Sequence, residues 1–496
     1  MKKLNIILLT ISFALLSCEY DEGFEEMNVD PTASTSLDVN QKFAYLFLKS
    51  ANDEYEYSYT EILCAGQLVQ QVMHQTFPQS SIFSLREDLL TASWDVAYVT
   101  TIKTVVDIID QLENDGNTGT EMGIARIMKA YIFHKIVDAY GDTPYFNAGK
   151  GYIDSNFRPA YDDAQLIYMD MLKELEEGVA QIGGSTNLGD SDLIFGGDTT
   201  KWKKFGNSLM LRLAMRIKNV DSANSSTWVA KAIAGGVMSS SDDTALMVHT
   251  NGPTDLNKNA WGVYYPRYVR ARLGKTIYDW LSAKSDPRLT IIANPQEPMF
   301  SAGGNPYGFN DEDLSAQGID VGTLPYARVN PAISRVDQPR MLLTYAQTAF
   351  VLAEHYGATS NHALAEINYN EGVTSAMNQW ALWDPSFALS AADISAYLTA
   401  NPYDSANYDE LIGEQFWVAS FFDWFEAFAN FRRTGFPALQ PFGGNPAHPE
   451  NLTNGTIPRR LIYNPNEANI NPENFDAVIT SQGPNNRTTR VWWDVN

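Results

Sequence analysis

Aromatic rings set among cationic and amide side chains mark three stretches of this sequence, and that mixture suits the recognition of sugars. A sugar ring offers apolar C–H faces to aromatic planes and hydroxyls to Asn, Asp, Arg or Gln, whereas a peptide asks for apolar pockets and backbone hydrogen bonds. The densest stretch is Trp261-Gly262-Val263-Tyr264-Tyr265-Pro266-Arg267-Tyr268, followed by Arg270 and Arg272. The same spacing also suits a hairpin or loop packing a small core of its own. Phe300, Tyr307 and Phe309 stand among glycines as a second group. Gln70, Gln71, His74, Gln75, Phe77 and Arg86 make the third, at a predicted helix end and the loop after it. Tyr55, Tyr57 and Tyr59 alternate as on a strand or an exposed helix edge, and suit a core equally well. From these groups the ligand contacts expected are Trp261, Tyr264, Tyr265, Tyr268, Arg270, His74, Phe77, Arg86 and Tyr307.

Catalytic patterns are weaker. The 59 acidic residues leave a glycosidase pair, two carboxylates about 5 Å apart, without an address in the sequence. His74, His134, His249, His355, His362 and His448 form no HExxH, since Glu354-His355 has no second histidine four residues on. The run Gly303-Gly304-Asn305-Pro306-Tyr307-Gly308 lacks the lysine and serine of a P-loop, and there is no G-x-S-x-G elbow. Zinc ligand spacing is absent. So many acids leave a structural calcium open, but none has EF-hand spacing, and no cofactor is expected.

The elements that must hold these groups are mostly helical. Trp94, Tyr98, Thr101, Val105, Ile108 and Leu112 keep one face over nearly twenty residues, as do Ile124, Ile127, Tyr131 and Ile136 after a short turn at 114–119. These two segments should pack antiparallel. Residues 167–182 and 202–217 form the next pair, a short helix follows at 228–234, and 342–353 and 369–380 come later. Paired helices with small residues at their crossings suggest a mainly α, tetratricopeptide-like repeat scaffold with little β structure. Asp409 to Pro437 reads as one helix, with Asn407 and Glu410 in capping-box spacing and Arg432, Arg433, Gly435 and Pro437 closing it. The eight Phe and Trp residues from Phe416 to Phe431 surround the helix, so it should be buried on several sides, with Glu426 paired to Arg432 or Arg433.

The beginning of the chain carries a different signal. Lys2 and Lys3 precede an apolar run, Leu4 to Leu16, too short to span a bilayer and suited to a signal peptide. It ends Leu15-Leu16-Ser17-Cys18, which resembles the lipobox of bacterial lipoproteins, with Cys18 as the lipidated first residue of the mature chain. Glu19 to Glu22 follow as an acidic leader resembling a surface-export signal. Cys64 then has no intramolecular partner, so no disulfide is expected. The mature chain carries 33 basic against 59 acidic side chains, a net charge of −26, which argues against nucleic acid and against anionic lipid as partners.

Several blocks, in order, resemble the SusD/RagB family of outer-membrane nutrient-binding lipoproteins. They are the lipobox, Lys129-Ala130-Tyr131 running to Asp138-Ala139-Tyr140-Gly141-Asp142-Thr143-Pro144-Tyr145, and Trp202-Lys203-Lys204-Phe205 through Leu213-Ala214. Leu343-Thr344-Tyr345-Ala346-Gln347 through Glu354, then Glu426-Ala427 with Phe431 to Pro437, and Ile457-Pro458-Arg459-Arg460 with Tyr463-Asn464-Pro465 complete the set. Gln347 departs from the glutamate more usual there, and several blocks lean toward the divergent branch. The resemblance implies a helical surface lipoprotein that binds an oligosaccharide without catalysis and passes it to a TonB-dependent SusC-type transporter. An oligopeptide ligand on the same scaffold, or a secreted glycoside hydrolase, are the alternatives. Residues 1–17 are then a signal peptide, 18–40 a lipidated N-terminus and tether, and 41–496 a single domain. Within it, 41–236 and 338–436 are scaffold, 237–337 a loop-rich ligand face and 437–496 a wrapping tail.

Overall fold

The computed structural model describes residues 37–51, 53, 56–74, 77–84, 86–267, 271–298, 300–440 and 451–496. Cys18, Tyr55, Gln75, Tyr268 and Arg270, with the expectations attached to them, lie outside the described residues.

Helix α1 (Val39–Ala51) is followed by a π-helical turn, Tyr57–Ala65. Helix α2 (Glu87–Val96) runs through π-helical Ala97–Ile102 into α3 (Lys103–Asn114), giving the long single face expected from Trp94 to Leu112. The chain turns at 115–119 and α4 (Thr120–Tyr140), buried on nearly every side, packs back on α3. Next come α5 (Ala164–Gln181), α6 (Thr199–Arg216) and α7 (Ser222–Gly235). Their starts follow from side-chain caps: Asp163 accepts from the N–H groups of Gln165 and Leu166, and Asp198 from those of Thr200 and Lys201. Where α4 crosses α5 the backbones touch. A Cβ on Gly123 would stand 2.4 Å from the Gly178 carbonyl oxygen, and one on Gly178 2.8 Å from that of Gly123. Small residues at the crossings are thus required by the helix spacing.

The stretch from 237 to 339 is less irregular than its sequence suggests. It contains α8 (Ala260–Arg267) and a helix at Lys275–Ala283. Two short antiparallel ladders tie it to the scaffold: β1 (Val72–His74) pairs with β3 (Ala271–Leu273), and β2 (Ala245–Met247) with β4 (Arg340–Leu343). Beyond it, α9 (Tyr345–Ala358) starts at a capping box formed by Thr344 and Gln347, and packs on α10 (His362–Asn378).

The run expected as one helix is two, α11 (Tyr408–Ala419) and α12 (Trp424–Thr434). Phe422 lies between them with φ +79°, a left-handed conformation that ends α11 and re-aims α12. Asn407 makes no cap; its amide donates to Asp404 instead. Burial on several sides holds, because Trp417, Trp424 and Phe428 are in the core. The pairing of Glu426 with Arg432 or Arg433 does not: Glu426 takes Arg216 at 2.6 Å and Arg212 at 3.4 Å, while Arg433 grips Glu354 with two bonds of 2.6 Å. The C-terminal tail is also more than a wrapping. Trp493 is fully buried and donates to Asp138 at 2.8 Å, and Leu461 N–H bonds the Ala139 carbonyl. Cys64 is a buried free thiol.

Candidate functional site

The stretch around Trp261 is a core element, which corrects the first expectation. Trp261 is 0% exposed on α8; its indole N–H donates to Ser334 at 2.8 Å, and its ring meets Tyr265, Phe422 and Trp424 at 5.2 to 5.7 Å. Tyr264 is likewise buried. The Tyr265 hydroxyl donates to the Val329 carbonyl at 2.6 Å, and burial pushes that phenol up to about 12. Tyr307 is buried edge-on to Phe83, and Arg272 is spent on the carbonyls of Thr323 and Leu324. Trp261, Tyr264 and Tyr307 have no face to offer a ligand, and Tyr265, part-exposed, has its hydroxyl occupied. The physical reason is that α8 turns its aromatic side onto the α11–α12 break, where Phe422 and Trp424 need partners.

Gln70 and Gln71 are structural too. Gln71 spans from the Trp417 carbonyl to the Trp424 indole, and Gln70 holds Thr276 and the backbone of Gln440. Tyr57 is buried, with its hydroxyl on the Phe422 carbonyl. Phe300 is half-buried, its carbonyl accepting from Tyr278, and Phe309 is half-buried as well.

The rest of the third group divides: His74, expected as a ligand contact, is buried at 3% exposure because its ring packs between Phe77 and Tyr264, while Phe77 and Arg86 come together at the surface. β1 ends at His74, held in register opposite Ala271 of β3, and the chain then turns so that Phe77 N–H bonds the His74 ring at 3.2 Å. The two rings lie 5.1 Å apart, and His74 meets the edge of Tyr264 at 6.4 Å on its inner side. On the outer side the Arg86 guanidinium sits 4.6 Å over Phe77 and 5.9 Å from the Tyr59 ring. Arg86 is the residue before α2, and Asp88 fixes its fork with two bonds of 2.8 Å. Tyr59, Phe77 and Arg86 are each part-exposed. The result is a stack of two aromatic rings and one guanidinium, backed on its inner side by His74 and Tyr264.

Such a stack can present ring faces to apolar C–H patches while the guanidinium donates to hydroxyl or carbonyl oxygens. The tyrosine alternation pointed to Tyr59; Asp88, which orients Arg86, was not singled out. Among the described residues no group of three or more His, Cys, Asp or Glu is placed to hold a metal ion, and no helix is long and apolar enough to cross a membrane.

Residues 33–464 match the model of a family, SusD-like, described as starch-binding and associating with the outer membrane. The chain belongs to that SusD-like family. Its fold is shared at high similarity with solved structures. A chitin-binding protein aligns at 29% identity with a TM-score of 0.81, over 92% of this chain and 100% of that one. A Bacteroidetes SusD-like protein aligns at 22% identity and 0.80, over 93% and 100%. A chitin-binding SusD homolog from Flavobacterium johnsoniae aligns at 22% and 0.76, over 92% and 99%. No curated protein matches. For this SusD-like chain, residues of the ordered blocks among the described residues serve as scaffold: Asp138, Arg212, Arg216, Gln347 and Glu426 form one buried ionic cluster, and Glu354 with Arg433 forms a separate buried pair.

Proposed function

We propose that this chain is a surface lipoprotein that captures an oligosaccharide on the Tyr59–Phe77–Arg86 stack and hands it, unaltered, to a TonB-dependent SusC-type transporter. The observation that carries this reading is the Arg86 guanidinium layered against Phe77 and Tyr59 at the surface of a SusD-like fold. The structure at 29% identity is named a chitin-binding protein, so an N-acetylglucosamine oligomer is the first ligand to test. Its N-acetyl group offers a methyl for the rings and a carbonyl for the guanidinium.

Calorimetry with chitotetraose, maltotetraose and a peptide panel tests the reading. One glycan should bind, and Phe77→Ala should weaken it about 30-fold, the roughly 2 kcal/mol of a central aromatic contact. Incubation should release no new reducing ends. Unchanged affinity in both Phe77→Ala and Arg86→Ala would overturn the site, and binding by peptides with no glycan would overturn the ligand class.

A further inference from the structure

At the other end of α2 from the stack lies a second set of aromatic rings. Arg86 precedes α2 and Trp94 lies near its other end; eight residues at 1.5 Å per residue separate them by about 12 Å along the axis. Trp94 and Tyr98 form the floor of a surface groove of about 390 Å³, walled by the segment 144–159 and by the C-terminal residues 467–471. That volume falls within the roughly 300 to 1,000 Å³ of small-molecule sites.

Two features set the groove apart from an ordinary surface depression. Its mouth carries Tyr152 and Phe157, which are 83% and 71% exposed. Both rings are nevertheless held in place. Lys103 sets its ammonium 4.7 Å from the centre of Tyr152, and the Phe157 ring lies against Gly151, where a Cβ would come within 2.8 Å of it. Ser155, left-handed at φ +62°, turns the chain between them, and Asn156 N–H closes that turn onto Asp154. Held rings with open faces are preorganised for contact, which lowers the cost of ordering them on binding. The floor is equally fixed: Trp94 stacks on Tyr161 at 5.8 Å and 20°, and the Tyr161 hydroxyl donates to Glu467 at 2.9 Å.

The polar groups of the lining decide among occupants. One ammonium, Lys103, balances one carboxylate, Glu467, so the groove selects for neither charge. Asn156 and Asn471 add amides, and Asn471 is steadied by its bond to the Pro159 carbonyl at 2.9 Å. Aromatic faces bordered by amides and a balanced pair of charges match an uncharged, hydroxyl-rich ring better than an acyl chain or a charged peptide. We propose that the groove bounded by Trp94, Tyr98, Tyr152 and Phe157 is a second, separate binding subsite for a neutral saccharide. It rests on the glycan reading for its ligand class and not for its location.

Equilibrium dialysis of the full-length protein with labelled chitotetraose and, in parallel, maltotetraose counts molecules bound per chain. The wild type should bind two of one sugar. The double variant Tyr152→Ala, Phe157→Ala changes two exposed side chains and should bind one, with an unchanged circular dichroism spectrum; Phe77→Ala, Arg86→Ala should also bind one, leaving the groove occupied. A count that stays the same in the groove variant as in the wild type overturns the subsite. So does a groove variant that binds sugar normally but no longer co-purifies with its transporter, which would make the groove a protein-docking face. If the groove variant loses one molecule while the Phe77 variant loses none, the groove stands and the first site fails.

Discussion

Glu426 is 4% exposed and accepts both of its short bonds from one arginine, Arg216, with Arg212 close behind. Those arginines hold its carboxyl below the usual range although burial alone would raise it. Removing one partner of such a buried set leaves the others uncompensated, at a cost of about 3 to 5 kcal/mol. Glu426→Gln should therefore lower unfolding free energy by about 3 kcal/mol in urea titration, and a loss under 1 kcal/mol would show that Asp138 suffices for Arg216. His134 stands beside this cluster. Burial, aided by Arg212, pushes its pKa from the ordinary 6.5 down to about 3. The folded form therefore resists protonation that the unfolded form accepts. Its contribution is complete above pH 6.5 and is lost as pH falls from there toward 3. Between pH 6.5 and pH 5 the wild type should lose about 2 kcal/mol through this group, and His134→Gln should flatten that slope. Neither partner of Glu426 was legible locally. The sequence places Arg432 and Arg433 within two turns, but burial selected arginines about 210 residues away.

At the level of elements, the break between α11 and α12 is where local pattern and tertiary demand part company. An unbroken aromatic run with no Gly or Pro reads as continuous helix, and Phe422 is an unusual residue to hold φ at +79°. What holds it there comes from elsewhere in the chain. Arg340 and the Tyr57 hydroxyl both donate to the Phe422 carbonyl, while Gln347 takes Asp423 at 2.8 Å. Gln347 also explains its own departure from glutamate: its carbonyl end accepts from Arg212 and the Thr344 N–H, and its amide end donates to Asp423, which a second carboxylate would repel. The Phe422 ring is packed against Trp261, Trp424 and Trp383, so truncation to alanine should cost about 3 to 5 kcal/mol. Glycine loses the same ring but relieves the left-handed backbone. Phe422→Gly should be more stable than Phe422→Ala by about 1 kcal/mol in thermal or urea unfolding, the reverse of the order in a helix interior. The ordinary order would show that the strain is absorbed by the hydrogen bonds around it.

For the molecule as a whole, helix pairs were readable because their periodicity is local, whereas the site depended on which aromatics the packing spends. Trp261, Tyr264 and Tyr307 look like ligand residues by type, yet the core consumes them, while Tyr152, in the short helix Gly151–Asp154, and Phe157 just after it stay exposed. The same distinction bears on how the protein is held at a membrane. Its net charge of −24 opposes an anionic surface, and no helix among the described residues is long and apolar enough to cross a bilayer. Family membership associates it with the outer membrane, and we propose acylation at Cys18 as the attachment, where each buried CH₂ would contribute about 0.8 kcal/mol. Cys18→Ser should move the protein from sedimentable membranes into the soluble fraction without changing its glycan affinity, and protease added to intact cells should degrade the wild type. A Cys18→Ser protein that still sediments would place its attachment in contact with the transporter itself, and a wild type protected from protease would turn the binding faces toward the periplasm.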